Sequence, residues 1–416
     1  MRRTRLIPLT LTAAALLTLM GLGVAHADSA AAVRAQDWPQ YRGPGGDGVY
    51  PGAGLDLKWS AEGPKKLWQR PLGGGFSGLT ATDGHLFTLY SKGGDEFLVA
   101  LDAATGKQAW SLRTGDERKD QFGDGPRSTP VVDGDRIFAV GALGHLWSVD
   151  RGTGKVLWNR DLRKDFGAVV PTWGVSAQPV IHGDLLLFNV GGKPGHAIMA
   201  FEKTTGKVRW KTGSGIPGYA LPVTFTVGGV EQTAFFTGTA LTSVVPTTGE
   251  VLWTLPWKTA YDVNAAAPIF IAPDLLFVSS GYDTGAAMLR VKGADGSASV
   301  EEVWRSRRMK NQFSSSVYHD GHIYGFDNKN LKCIDAKTGQ DRWRKSGFGH
   351  GSLFFLDGHF VVLGEKGKMA LVEADPTAYK EKAVTRVADG KHWTVPTYYD
   401  GKLYVRNEKD LFSFGL

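Results

Sequence analysis

Asp102-Ala103-Ala104-Thr105-Gly106-Lys107-Gln108-Ala109-Trp110 returns in outline at 150–158, 202–210, 245–253 and 335–343. Each copy carries Thr-Gly and closes on a tryptophan: Thr153-Gly154 before Trp158, Thr205-Gly206 before Trp210, Thr248-Gly249 before Trp253, and Thr338-Gly339 before Trp343. A degraded copy ends at Trp304, and Trp68 stands one interval upstream of Trp110. The seven tryptophans lie 42, 48, 52, 43, 51 and 39 residues apart. A mean period of about 46 matches a four-stranded propeller blade. Glycine inside the turn suits a bulged hairpin that needs a left-handed residue. The tryptophan offers a flat surface for packing between neighbouring blades.

A second motif marks the same units: a short strand, a tight turn, then an aliphatic or aromatic strand. It occurs eight times, at 79–90, 130–140, 179–190, 223–236, 268–279, 316–326, 353–363 and 396–405. Five turns read Asp-Gly, at Asp83-Gly84, Asp133-Gly134, Asp320-Gly321, Asp357-Gly358 and Asp400-Gly401. Asp-Gly between apolar alternations is a hairpin signal, because both turn positions take positive φ. The expected fold is therefore all-β, an eight-bladed β-propeller of four-stranded antiparallel blades. Residues 394–416 supply only three strands of the last blade. Lys66-Leu67-Trp68-Gln69-Arg70 is expected to supply the fourth, so that the N-terminal strand closes the ring and leaves no open edge. Blade seven departs from the repeat at Asp375-Pro376, where proline predicts a short helical turn. Ala100, Ser148, Ala200, Ser243 and Cys333 share one strand register and are all small, which predicts a position pressed against the next blade.

Composition agrees. With 55 glycines in 416 residues, 11% aromatics and 21% charged residues, the chain is neither disordered nor collagenous. So much glycine also argues against a mostly helical protein. Cys333 is the only cysteine, which excludes an internal disulfide and any Cys-based haem or zinc spacing. It reads as a packing residue.

Arg2, Arg3 and Arg5 precede an apolar run over 6–22, and Ala25-His26-Ala27 has a small-x-small outline. This pattern predicts a signal peptide over 1–27, cleaved near Ala27, and a periplasmic or secreted protein. An uncleaved N-terminal anchor is the alternative. A leader over 28–60 and a single propeller domain over 61–416 follow. Cleavage would lower the net charge from +7 to +4, and no dense basic run is present. Nucleic acid is therefore not an expected partner. No span of about 20 apolar residues lies in the mature chain, and a monomer is expected.

The Asp-x-x-Thr-Gly-Lys-x-x-Trp element resembles the tryptophan-docking motif of the PQQ-like (quinoprotein-type) β-propeller repeat, and the chain resembles the BamB-like exported propellers of bacteria. Trp38-Pro39-Gln40-Tyr41-Arg42-Gly43-Pro44 is similar to the leader of one branch of these proteins. The resemblance implies a binding or scaffold module in the bacterial envelope. It also implies a competing reading, a PQQ-dependent alcohol or sugar dehydrogenase with calcium. The large dehydrogenases of that type carry an adjacent cysteine pair, which this chain lacks. No cofactor and no metal site is therefore the first expectation.

A propeller site lies at the mouth of the central channel, lined by loops running from the last strand of one blade into the first of the next. Here those loops carry Asp124, Arg127 and Ser128; Thr172, Trp173 and Ser176; Tyr219; Asp262 and Asn264; Lys310, Asn311, Phe313 and Ser314; His350 and Ser352; His392 and Trp393. The candidate ligand-binding residues are Arg127, Trp173, Tyr219, Asn264, Lys310, Asn311, His350 and Trp393. Cations beside rings and amides suit an anionic or planar ligand, held either in a small-ligand site or against an envelope protein. In the dehydrogenase reading Asp262 is the base, Asn264 a calcium or quinone contact, and Arg127 and Lys310 hold the quinone carboxylates. A lectin-like reading rests on Trp173 and Trp393. His85, His322 and His359 each follow Asp-Gly and read as turn residues on separate blades, not metal ligands.

Overall fold

The computed structural model describes Met1 and residues 37–416 except 53, 56, 58, 61 and 62. The expected signal peptide over 1–27 and the start of the expected leader lie outside the described residues, Met1 apart. Eight antiparallel sheets follow one another along the chain. In blade 1 the strands are Thr80–Thr82, His85–Lys92, Asp95–Asp102 and Gln108–Asp116, here called A to D. The short A strands, such as Val131–Asp133 in blade 2 and Val317–His319 in blade 6, sit side by side around the channel. Among the described residues helix is limited to the five residues Leu162–Phe166 and a three-residue turn at Ala260–Asp262.

The repeat phrase builds the C–D hairpin and the joint between blades. Asp102 accepts from the Thr105 N–H at 2.7 Å and its hydroxyl at 2.6 Å, and Asp150 and Asp335 do the same with Thr153 and Thr338. Gly106, Gly154, Gly206, Gly249 and Gly339 all take φ between 65° and 76°. Each lies under the tryptophan of the preceding blade: a Cβ on Gly249 would sit 2.4 Å from Trp210, and one on Gly154 2.6 Å from Trp110. The indole N–H then donates to a carbonyl of that next blade. Trp110 reaches Arg151 at 3.0 Å, Trp158 reaches Lys203 at 2.8 Å and Trp304 reaches Ala336 at 3.0 Å. Directly across the hairpin the tryptophan faces the small residue: Ala100 opposes Trp110, Ser148 opposes Trp158, and Cys333 opposes Trp343. Blade 5 is the exception: Met288 faces Trp304 there, and the indole still reaches the next blade. Burial pushes the Cys333 thiol up to about 12, in keeping with a packing role.

Two joints differ. Blade 5 turns through Asp295-Gly296 between long strands, Gly285–Ala294 and Ser297–Ser306, with no Thr-Gly. Trp253 therefore donates within its own blade, to buried Gln232 at 2.8 Å. In blade 7 the expected helical turn at Asp375-Pro376 is absent. Asp375 instead caps Thr377 N–H and hydroxyl at 2.6 Å each, giving a bend, and its carbonyl accepts from Trp343. Of the five Asp-Gly turns, four have both residues at positive φ. At Asp133 the turn falls one residue later, because Asp133 still pairs with Arg136.

Lys65–Pro71 pairs antiparallel with Asp410–Gly415, Trp68 opposite Ser413, and so closes the eighth blade. The leader is built into the ring rather than lying outside it. Trp38 is 1% exposed and exchanges hydrogen bonds with Ala81 of blade 1. Pro39 accepts from Val132 of blade 2, Tyr41 donates to Gln178 ahead of blade 3, and Arg42 donates to the Ser316 carbonyl of blade 6. Val49–Tyr50 then adds a parallel fifth strand to blade 7. The leader thus crosses from one side of the ring of A strands to the other. Its guanidinium, buried and capped by carbonyls of Gly46 and Asp47, is held below its ordinary pKa by desolvation.

The joint can be weighed by comparing two glycines. Gly84, at φ 73°, has open space around an added Cβ, whereas Gly249, at φ 76°, faces Trp210. Gly84→Ala should cost about 1 kcal/mol, the left-handed penalty alone. Gly249→Ala should cost roughly 2 kcal/mol more, from overpacking against the indole. Urea unfolding midpoints of the two variants measure the difference, and equal losses would show that the tryptophan adds nothing at that turn.

Candidate functional site

At one mouth of the channel the eight D-to-A loops surround a cavity of about 800 Å³. Every loop contributes a side chain, from Phe76 ahead of blade 1 round to Trp393 ahead of blade 8. The leader's Tyr41 lines it too, with its N–H tied to Gln178 at 2.9 Å. The cavity is walled by aromatic rings in near-continuous contact. Tyr282, Tyr261 and Trp173 follow at centroid separations of 5.8 and 5.9 Å; Trp393 and Phe313 lie 5.0 Å apart, and Phe313 and His350 5.6 Å.

Of the residues singled out above, Arg127, Trp173, Tyr219, His350 and Trp393 line this cavity, as do Thr172, Ser176 and Phe313. Arg127 donates to the carbonyls of Gly125 and Gly123 at 2.8 and 2.9 Å, with Asp120 3.6 Å away. Burial lowers its pKa. Burial raises the Tyr219 hydroxyl to about 12, so that it stays a neutral donor and acceptor. His350 is held toward the neutral imidazole by burial, against the opposing pull of Glu365 at 3.8 Å.

Four assigned residues stand elsewhere. Asn264 is fully buried: its amide donates to the carbonyls of Thr237, Gly238 and Trp257, and its oxygen accepts from Ser280 at 2.7 Å. It is a clamp for its own loop. Asn311 spends its side chain on Phe326 and Ser316. Lys310 lies outside the cavity, 3.4 Å from Asp283. Asp262 shares its turn with Tyr261, and it is the tyrosine that lines the cavity. The remaining polar loop residues are also internal caps: Asp124 accepts from the Asp120 N–H at 2.9 Å, and Ser128 donates to Ala177. Ser314, Ser352 and His392 are buried and absent from the cavity wall.

The sequence reading passed over Tyr261, Phe122 and Gln312 in the same loops. It also passed over Tyr282, Lys329 and Glu365, which reach the cavity from B–C hairpins. One signal was available, the exposed aromatic beside each polar choice, as in Tyr261-Asp262. Among the described residues no group of three His, Cys, Asp or Glu side chains converges as a metal site, and no helix is long and apolar enough to cross a membrane.

With this geometry, comparison with known proteins is direct. The family model described as outer membrane protein assembly factor BamB matches residues 56–217 and 122–345. The chain belongs to this PQQ-repeat propeller family. BamB from Moraxella catarrhalis superposes with a TM-score of 0.58 at 14% identity, over 84% of this chain and 97% of that one. Quinohemoprotein alcohol dehydrogenases from Comamonas testosteroni and Pseudomonas putida HK5 superpose at TM-scores of 0.60 and 0.63, each at 12% identity. Both matches cover 92% of this chain, and 81% and 80% of those enzymes. These likenesses establish the shared fold. A curated relative, serine/threonine-protein kinase AfsK of Streptomyces griseus, is 31% identical over 178 residues, 41% of this chain. The chain spans only 20% of that kinase's length.

Behind Arg127, Glu96 is 1% exposed and accepts the Ala142 N–H at 3.0 Å. Burial raises its pKa to about 7, only partly opposed by that hydrogen bond and by Arg127. A carboxyl with a raised folded pKa favours folding while it is protonated, so stability should fall as pH rises from about 4.5 through 7. Glu96→Gln should therefore raise the unfolding temperature at pH 8 and leave it nearly unchanged at pH 4.5. Identical pH profiles for the two proteins would remove Glu96 as the cause.

Proposed function

We propose that this chain is a ligand-binding module of the bacterial cell envelope, acting through the mouth cavity and without chemistry of its own. The observation that carries the reading is that all eight loops and the leader converge on one aromatic-walled cavity of about 800 Å³. A cavity of that size is within the range of small-molecule sites. Membership in the BamB-described family supports an envelope role, and the predicted signal segment supports export.

The quinoprotein alternative makes definite demands on these residues. A quinone–calcium centre would need a base, a calcium-coordinating amide or carboxylate, and cations for the quinone carboxylates. Asn264 is consumed by backbone carbonyls, Lys310 points at Asp283, and Asp262 does not line the cavity. Glu365, the carboxylate lining it among the described residues, is engaged by the Trp393 indole at 3.0 Å. These residues do not fit the group, and no oxidation step is assigned.

A thermal-shift screen of fractionated envelope extract tests the reading, run on the purified chain and on a Trp173→Ala/Trp393→Ala variant. A fraction containing the ligand should raise the unfolding temperature of the parent by several degrees and leave the variant unmoved. Equal response of both proteins, or none, rejects the cavity as the binding site. Alcohol-dependent dye reduction in the presence of PQQ and calcium would replace the reading with the oxidoreductase one.

A further inference from the structure

We propose that the cavity takes an acidic oligosaccharide, a run of pyranose rings bearing carboxylates. This rests on the cavity being a binding site and names the class of its ligand.

The ring faces come first. Trp173 lies 6.5 Å from Phe122, and Phe122 lies 6.5 Å from Trp393, so the rim offers a curved track of aromatic surface. Tyr261 is 69% exposed and Phe122 42%, so these rings face solvent rather than a packed core. A pyranose presents a face of C–H bonds, which settles against the negative face of an aromatic ring. Tyr261 and Tyr282 hold their places on the wall at φ of 61° and 54°, a conformation that non-glycine residues rarely adopt and that clusters at binding sites.

The main chain argues against a peptide. Extended peptides are recognised through unpaired backbone groups of the receptor. Here four loop carbonyls around the mouth are already occupied. Those of Gly123 and Gly125 accept from Arg127, that of Phe122 from Lys391, and that of Phe76 from Thr394. Ring faces and side-chain ends remain for a ligand, which is the chemistry of glycan recognition.

Charge narrows the class. Lys329 and Lys391 line the cavity, and among the described residues neither ammonium has a carboxylate partner within an ion-pair distance. Lys391 instead lies 4.3 Å from the centre of the Trp393 ring. Glu365 on the same wall is already turned to the Trp393 indole. The Lys391 ammonium over the Trp393 face, with the Lys329 ammonium elsewhere on the same wall, places positive potential where a uronate carboxylate would fall.

Isothermal titration of the purified chain with hexamers of galacturonate, mannuronate and glucuronate tests this, each compared with its methyl-esterified form. At least one acidic hexamer should bind tenfold or more tighter than its ester and weaken as salt rises. Trp173→Ala should abolish binding of both forms. Lys329→Gln, at an exposed hairpin tip, should bring the acid down toward the ester while leaving the ester and the unfolding midpoint unchanged. Equal affinity for acid and ester overturns the acidic assignment, and binding that survives Trp173→Ala overturns the placement. If no hexamer binds while an envelope fraction still stabilises the parent and not the double tryptophan variant, the ligand class is wrong and the cavity reading stands. Failure of both experiments removes both.

Discussion

The ring depends on one contact, an indole laid over the turn glycine of the following blade. It couples three features wherever the repeat is intact. The glycine must be left-handed to make the bulged turn, and it must lack a side chain so that the indole can lie flat on it. The residue facing the tryptophan across its own hairpin is small except in blade 5, where the flexible Met288 faces Trp304. The indole N–H must find a carbonyl on the neighbour, because a buried donor left without one is costly. Where the turn changes, as in blade 5, the donor is met from inside its own blade by Gln232. The exception shows that hydrogen-bond satisfaction, not the Thr-Gly phrase itself, is the constraint.

A ring of blades leaves a hole along its axis, and a hole does not by itself make a pocket. The leader changes that. Trp38, Tyr41 and Arg42 tie it to blades on opposite sides of the channel, and Val49–Tyr50 joins blade 7 as a strand. Tyr41 and the mouth loops then bound one cavity between them. A segment that reads in the sequence as a leader ahead of the propeller thus supplies part of the site. The buried Arg42 guanidinium donates to carbonyls of Gly46 and Asp47 in the leader and of Ser316 in blade 6, which offsets part of the cost of its burial.

The mouth loops show how far residue type alone can be read. Choosing the polar residues found Arg127 and His350, because their loops aim them inward. The same rule selected Asn264, Asn311 and Lys310, which the loops need for their own backbone groups and for a neighbouring aspartate. A loop carbonyl out of reach of water must be paired, and the nearest amide is used for it before any ligand is. Tyr261 is marked in the sequence only by its neighbour Asp262, and Tyr282 lies in a B–C hairpin outside the D-to-A loops; the left-handed backbone that aims both is not legible there. Their direction follows from local turns that only the assembled loops stabilise.

Local chemistry repeated in phase determined the architecture here: the turn glycines, the tryptophans 39 to 52 residues apart and the missing last strand were enough for eight blades and their closure. Those features act between residues a few positions apart or one repeat apart, so they are visible along the chain. The cavity is different. It is made by loops from all eight blades and by a leader more than 300 residues from some of its neighbours, as in the contact of Leu55 with Asp357. Which side chains face the axis depends on which backbone groups each loop must first satisfy, and that balance exists only once the ring has closed.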